Sequence, residues 1–215
     1  MRSGVAAFLV AASGAAFAQG ADVGLVNLVA GEVSFVPLAG SPGKAKAFMR
    51  VRDGDRFELP AGSQVRVVYF EAARQERWQG PASFRATKMQ GQPVAGRPAE
   101  VANLPAGVPQ RIARVPELMQ NAKLGGIQVR GAQSSPRRDS AGQDEAVREA
   151  RSTYARLRQD LPADDITPEL FLYSALNDYQ LYDDMQVVVD EMLRKQPDSE
   201  DVRSLAAWVK TRTGR

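Results

Sequence analysis

Apolar and polar positions alternate along the first half of the chain, then change to a spacing of three and four. Val23 to Ala30 and Glu32 to Val36 are short runs rich in valine and leucine, divided by Gly31. Between Ala45 and Val51, the small or apolar Ala45, Ala47 and Met49 alternate with Lys46 and Arg50. Asp53-Gly54 is a turn signal, Phe57 and Leu59 follow it, and Pro60-Ala61-Gly62 marks another turn. Ser63 to Phe70 is the clearest strand, with Val65, Val67 and Tyr69 on one face and Gln64, Arg66 and Val68 on the other. Arg74 to Trp78 and Ser83 to Thr87 complete the set around Gly80-Pro81. Short strands at this turn spacing predict an all-β sandwich or small barrel. Residues 90–116, rich in Pro and Gly, predict a run over the surface. A short helix from Pro116 to Lys123 and a strand at Ile127 to Val129 come next.

Residues 131–142 carry no apolar period and predict a linker. Beyond it, Val147, Ala150, Tyr154, Leu157 and Leu161 share one helical face. Thr167-Pro168 predicts a helix start, with Thr as cap and Pro in the first turn, and Leu172, Leu176 and Tyr179 continue that helix. A third helix runs from Asp183 to Lys195 and ends before Pro197; Asp198 or Ser199 caps a fourth, which turns Val202, Leu205, Ala206 and Val209 inward. The expected fold class is α+β multidomain: an N-terminal all-β unit over 19–130, the linker over 131–142, and a helical unit over 143–215.

The first residues have the order of a secretory signal: Arg2, an apolar run from Val5 to Phe17, then Ala16-Phe17-Ala18. Cleavage after Ala18 would start the mature protein at Gln19. The apolar run is short of the roughly 20 residues that span a bilayer, so the expected location is the periplasm, with no transmembrane segment in the mature chain. The chain has no Cys and no His. Imidazole-dependent triads and Cys/His zinc sites are thereby excluded, and no disulfide supports the fold. Residues 19–130 hold 15 Lys and Arg against 9 Asp and Glu, a surplus of +6; residues 131–215 hold 12 against 16, a surplus of −4.

The helical region is internally repetitive. Ala150, Tyr154, Leu157 and Pro162 recur as Met185, Val189, Met192 and Pro197, each pair 35 residues apart by subtraction. This resembles the second helix of a tetratricopeptide (TPR) repeat, whose period is about 34. The fullest copy covers Ile166 to Ser199 and departs from the family at Tyr173 and Met185, which stand where it prefers smaller residues; the segment is therefore TPR-like hairpins. In that family the first helices line a concave ligand face. Carried over by position, the resemblance points Ser174, Asn177 and Asp178 toward a partner. Four helices are few for a repeat array, so the segment is expected to dock on the β half or on a partner, with Tyr182 and Trp208 as aromatic candidates for that contact. The alternative is that the aromatics fill the helical core and the polar residues are ordinary wet surface.

The β region is similar to the FecR-type periplasmic domain. The residues that carry the likeness are Gly31-Glu32-Val33, Met49-x-Val51-x-Asp53-Gly54-Asp55-x-Phe57-x-Leu59, and Gly62-Ser63-x-Val65-x-Val67. It covers about residues 26–88. It departs after the central strand, where Glu71 to Glu76 stands in place of an Asp-Gly turn. The resemblance implies an exported β module without chemistry of its own. Asp53-Gly54-Asp55 supplies too few oxygens for a calcium loop and reads as a turn. Asp164-Asp165 and Asp183-Asp184 read as helix-start acids rather than a glycosidase pair.

The expectation is a non-enzymatic periplasmic interaction or scaffold protein of the cell envelope, with no cofactor, no metal and no nucleic acid, contacting other envelope proteins. A second reading is a polyanion-binding module for envelope glycan, using Lys44, Lys46, Arg50, Arg52, Arg66, Arg74, Arg77 and Arg85 on one basic face. A third is a polysaccharide hydrolase working through carboxylates alone.

Overall fold

The computed structural model describes residues 20–124 and 140–213. The expected export signal, the strand expected at 127–129 and residues 131–139 of the expected linker lie outside them. Ten strands form two antiparallel sheets. The first sheet comprises β1 (Asp22–Ala30), β4 (Arg50–Arg52), β6 (Gln64–Tyr69), β7 (Arg74–Gln79) and β10 (Glu100–Asn103), in the order β10-β7-β6-β1-β4. The second comprises β2 (Ser34–Val36), β3 (Gly43–Lys44), β5 (Arg56–Leu59), β8 (Ala82–Ala86) and β9 (Gly91–Gly96), in the order β3-β2-β5-β8-β9.

The sheets face each other across the residues that alternation placed inward. Val65, Val67, Tyr69 and Trp78 of the first meet Phe57, Leu59, Ala82 and Phe84 of the second in one buried cluster. Trp78 stacks on Phe84 at 4.4 Å between ring centroids, and Phe84 on Phe57 at 4.9 Å, so a column of rings joins the layers. The strand expected over 45–51 forms only at its end: residues 45–49 turn between β3 and β4, with Phe48 at φ 61°. Where the sequence has no Asp-Gly turn, four residues from Phe70 to Ala73 connect β6 to β7, and Ala73 takes the left-handed conformation, φ 46°.

Residues 90–116 keep to the surface from 92 to 103, as their Pro and Gly content suggested, but they fold into regular elements whose helical end is buried. They form β9, β10 and α1 (Val108–Ile112), and α2 (Val115–Lys123) comes after them. Pro93 is tolerated because β9 is an edge strand, where a missing N–H costs little. Among the described residues four more helices follow: α3 (Ser140–Asp160), α4 (Thr167–Asn177), α5 (Tyr182–Lys195) and α6 (Glu200–Lys210). Ser199 caps α6, accepting from Val202 N at 3.3 Å. Thr167 does not cap α4; its hydroxyl is committed elsewhere.

The first sheet is covered on both faces. Leu25 of β1 and Val68 of β6 belong to the same buried cluster as Val108, Ile112 and Met119 of α1 and α2 and Leu170, Leu176, Met192 and Leu205 of the later helices. Three layers result: outer sheet, inner sheet, helices. Burying one such aliphatic side chain is worth about 1.5–3 kcal/mol, so the helical layer is joined to the inner sheet by hydrophobic contact.

Candidate functional site

A polar network lies within that apolar contact. Asn27 stands at a break in the β1–β6 register between Val26 and Leu28. Such a bulge re-aims a side chain, and Asn27 meets the helices. Its Nδ2 donates to Gln75 Oε1 at 3.1 Å and to Thr167 Oγ1 at 2.5 Å. Thr167 Oγ1 donates in turn to Gln75 Oε1 at 2.5 Å, and Gln75 Nε2 donates to Asp165. Asp165 also accepts from Thr167 N at 2.8 Å, at the start of α4. Arg66 reaches up from β6 with Nη2 2.6 Å from Asp164 and Nη1 3.7 Å from Asp165. Asn27, Arg66, Gln75, Asp165 and Thr167 are all buried. Buried groups of this kind stabilise only when paired, and breaking a pair strands its partner.

A second buried cluster holds α3, α4 and α5 together. Glu169 Oε1 accepts from Lys195 Nζ at 2.9 Å and from the Tyr154 hydroxyl at 3.1 Å, with Arg158 Nε 3.5 Å away. Burial, the neighbouring carboxylate and its hydrogen bond push the Tyr154 hydroxyl up to about 12. In the sandwich, Glu76 Oε2 accepts from Trp78 Nε1 at 3.0 Å and from Gly91 N at 2.9 Å, and Arg74 pairs with Glu76 at 2.8 Å. Burial raises the Glu76 carboxyl above its ordinary value despite these donors. Asp55 accepts from Arg52 N at 2.8 Å and Leu38 N at 3.3 Å, and burial raises it too. Its oxygens therefore organise the turn at Gly54.

The residues assigned to a partner face have other surroundings. Ser174 is fully buried, in a helix where every residue from Thr167 to Leu176 is buried; it does not face solvent as the repeat likeness implied. The reason is cover on several sides: α1, α2, α3 and α5 all pack against α4. Asp178 is clasped by Arg111 Nη1 at 2.8 Å and Arg114 Nη2 at 2.6 Å. Burial pulls its carboxyl up, but these two guanidiniums outweigh that and hold it below its ordinary value. Lys123 reaches Asp201 at 2.6 Å, which fixes α2 to α6. Asn177 is half-buried. Tyr182 and Trp208 pack partly buried on the core, edge to face at 5.9 Å, and the Arg212 guanidinium lies 4.1 Å from the Trp208 ring centroid.

The basic residues do not converge on one face. Arg66 lies buried beneath the helices, opposite Asp164 and Asp165, because the polar side of β6 is an interior surface. Arg50 and Arg52 share Asp22, as their alternation required, and Arg50 also reaches Glu117. Lys44 pairs with Glu32, Arg74 with Glu76 and Arg77 with Glu100. Lys46 and Arg85 are exposed, Lys46 in the segment between β3 and β4 and Arg85 on the outer sheet.

One feature unseen in the sequence is a groove of about 590 Å³ over α4, between α3 and α5. Leu172, Leu176, Val188 and Tyr154 supply its apolar and aromatic lining; Arg151, Asp184, Asp190, Glu191 and Arg194 supply its charges. The exposed Val187 also lines it. Among the described residues no helix is long and apolar enough to cross a membrane. Comparison of the chain with family models, with curated proteins and with solved structures finds no match.

Proposed function

We propose that the chain is a non-enzymatic envelope scaffold of the periplasm, combining a FecR-like β domain with TPR-like helical hairpins. The observation that carries this reading is how the charged groups are used. The buried carboxylates Asp165, Glu169 and Glu76 are each tied to donors within the fold. Arg66, Arg74, Arg111 and Arg114 are committed to internal pairs. Groups so committed hold layers together. The TPR-like part of the reading is supported by α3 and α5, which both pack on α4. The 35-residue pairs Ala150/Met185 and Leu157/Met192 are buried alike.

The helical layer then acts through faces that its own chain leaves open, since α1 and α2 cover one side of α4. The tagged mature protein should recover a specific protein partner from the solubilised envelope fraction, in stoichiometric amount and in competition with untagged protein. Recovery of nothing above background counts against the scaffold. Turnover of an envelope polysaccharide by purified protein, abolished by changing one acidic side chain, would overturn its non-enzymatic character.

A further inference from the structure

A scaffold needs a surface that recognises its partner, and the groove over α4 has the features of one. Resting on the scaffold reading, we propose that this groove docks an amphipathic helix, supplied by another envelope protein, whose apolar stripe is flanked by Lys or Arg. Three observations lead there. The first is shape. The groove runs along α5 from Asp184 to Arg194, about 15 Å at 1.5 Å per residue, between two helices that both pack on α4. A short helix can lie in that channel as a neighbour of α3 and α5.

The second is the apolar contact on offer. Val187 is 70 % exposed, and it is the only large exposed hydrophobic residue of α3 to α6 among the described residues. It lines the same groove as Val188, Leu172 and Leu176, which are themselves buried. A stripe at i, i+3, i+4 and i+7 would cover Val187 and meet the lining below it.

The third is charge. Asp184, Asp190 and Glu191 stand against Arg151 and Arg194. Both guanidiniums are already engaged, Arg151 with Asp184 at 2.8 Å and Arg194 with Glu191 at 2.5 Å. Among the described residues, Asp190 accepts only a neutral hydrogen bond, from Gln186 Nε2 at 2.8 Å. Glu191 is shared with Lys195 at 3.5 Å as well, which leaves Asp190 as the groove carboxylate without a cation among the described residues, in a helical half that carries a net −4 over residues 131–215. A basic flank on the incoming helix matches that surplus, and an acidic one opposes it.

The test uses the mature protein and a dye-labelled 14-residue peptide with Leu at i, i+3, i+4 and i+7 and Lys on both flanks, followed by fluorescence anisotropy. Wild type should bind it, more weakly as salt rises. Val187→Asp should weaken binding at least tenfold, and Asp190→Lys several-fold. Both sites are on the surface, so the urea midpoint should stay at the wild-type value. A peptide with Glu in place of Lys should bind wild type poorly and Asp190→Lys better. The proposal is overturned if wild type does not bind the Lys peptide or binds a scrambled one equally well. It is equally overturned if neither substitution weakens binding. Binding to phosphatidylglycerol vesicles that Val187→Asp abolishes would give the groove to a membrane surface instead. If envelope pull-down recovers the same partner with Val187→Asp as with wild type, the groove proposal falls and the scaffold stands. If neither protein recovers a partner, the scaffold falls.

Discussion

Replacing Arg66 by Met tests whether the network between inner sheet and helices holds the protein together. Arg66 is 1 % exposed and faces two carboxylates of unequal burial. Asp164 is 62 % exposed on its side chain, so water replaces the lost partner and the cost there is small, about 0–1 kcal/mol. Asp165 is fully buried and keeps only its neutral donors, Gln75 Nε2 and Thr167 N. Leaving a buried charge without its counter-ion costs about 3–5 kcal/mol. Met refills part of the space of the arginine stem, which brings the net loss to roughly 2–4 kcal/mol. At a urea dependence of about 2–3 kcal/mol per M, the unfolding midpoint should fall by roughly 0.7–2 M. The chain's two tryptophans make the assay specific, because Trp78 reports from the sandwich and Trp208 from α6. In each variant retaining a single tryptophan, the fluorescence transition should coincide with that of far-UV circular dichroism, and Arg66→Met should move both. Asp164→Asn should barely move either. Separate transitions in the wild-type background, or a midpoint unchanged by Arg66→Met, would refute the claim that the layers share one cooperative core.

Acid should loosen the clasp on Asp178. Its folded value lies below the ordinary 3.8, so its contribution is whole above that pH and drains away as pH falls through the folded value; Asp178→Asn should therefore lose less stability between pH 6 and pH 3 than wild type, as read by urea midpoints, and an equal loss would contradict the assignment. Gly91→Ala would bring a Cβ to 2.7 Å from both Glu76 Oε2 and the Trp78 ring; a loss of about 1–3 kcal/mol in thermal unfolding is expected, and a neutral result would mean the ring column gives way freely. Ala73→Gly should raise stability by about 0.5–1 kcal/mol, since a residue at φ 46° is relieved when its Cβ is removed; an unchanged or lower midpoint would count against strain in that turn.

Much of the sandwich was legible because each strand buries one face against the other sheet, and alternation records this. Val65, Val67, Tyr69, Phe57 and Leu59 all fall inward as their period requires. What alternation could not convey is that the opposite face of β6 is interior as well. Arg66 on that face looked like surface because a polar residue can be buried when its partners arrive from far along the chain, and here they come from Asp164 and Asp165. The available signal was Val68, which stands on the face expected to be wet and makes Val67 to Phe70 a continuous apolar run. A strand covered on both sides reads as a continuous apolar run. Ser174 was misplaced for the same reason. Leu170 to Tyr173 is apolar all round, the mark of a helix enclosed on several sides, and one serine within it does not reopen a face. The groove beside Val187 had no sequence signal, because its walls come from α3, α4 and α5 and one exposed valine is commonplace.

The two-sided burial of the inner sheet also bears on synthesis. Asn27 must wait 140 residues for Thr167, a delay of roughly 7–28 s at about 5–20 residues per second. Throughout that interval a nascent chain holds Leu25 and Val68 without their roof, as an adhesive surface for whatever is nearby. For the exported chain of the scaffold reading that surface forms outside the cytoplasm, where a chaperone that shields unfinished sheets would find its substrate.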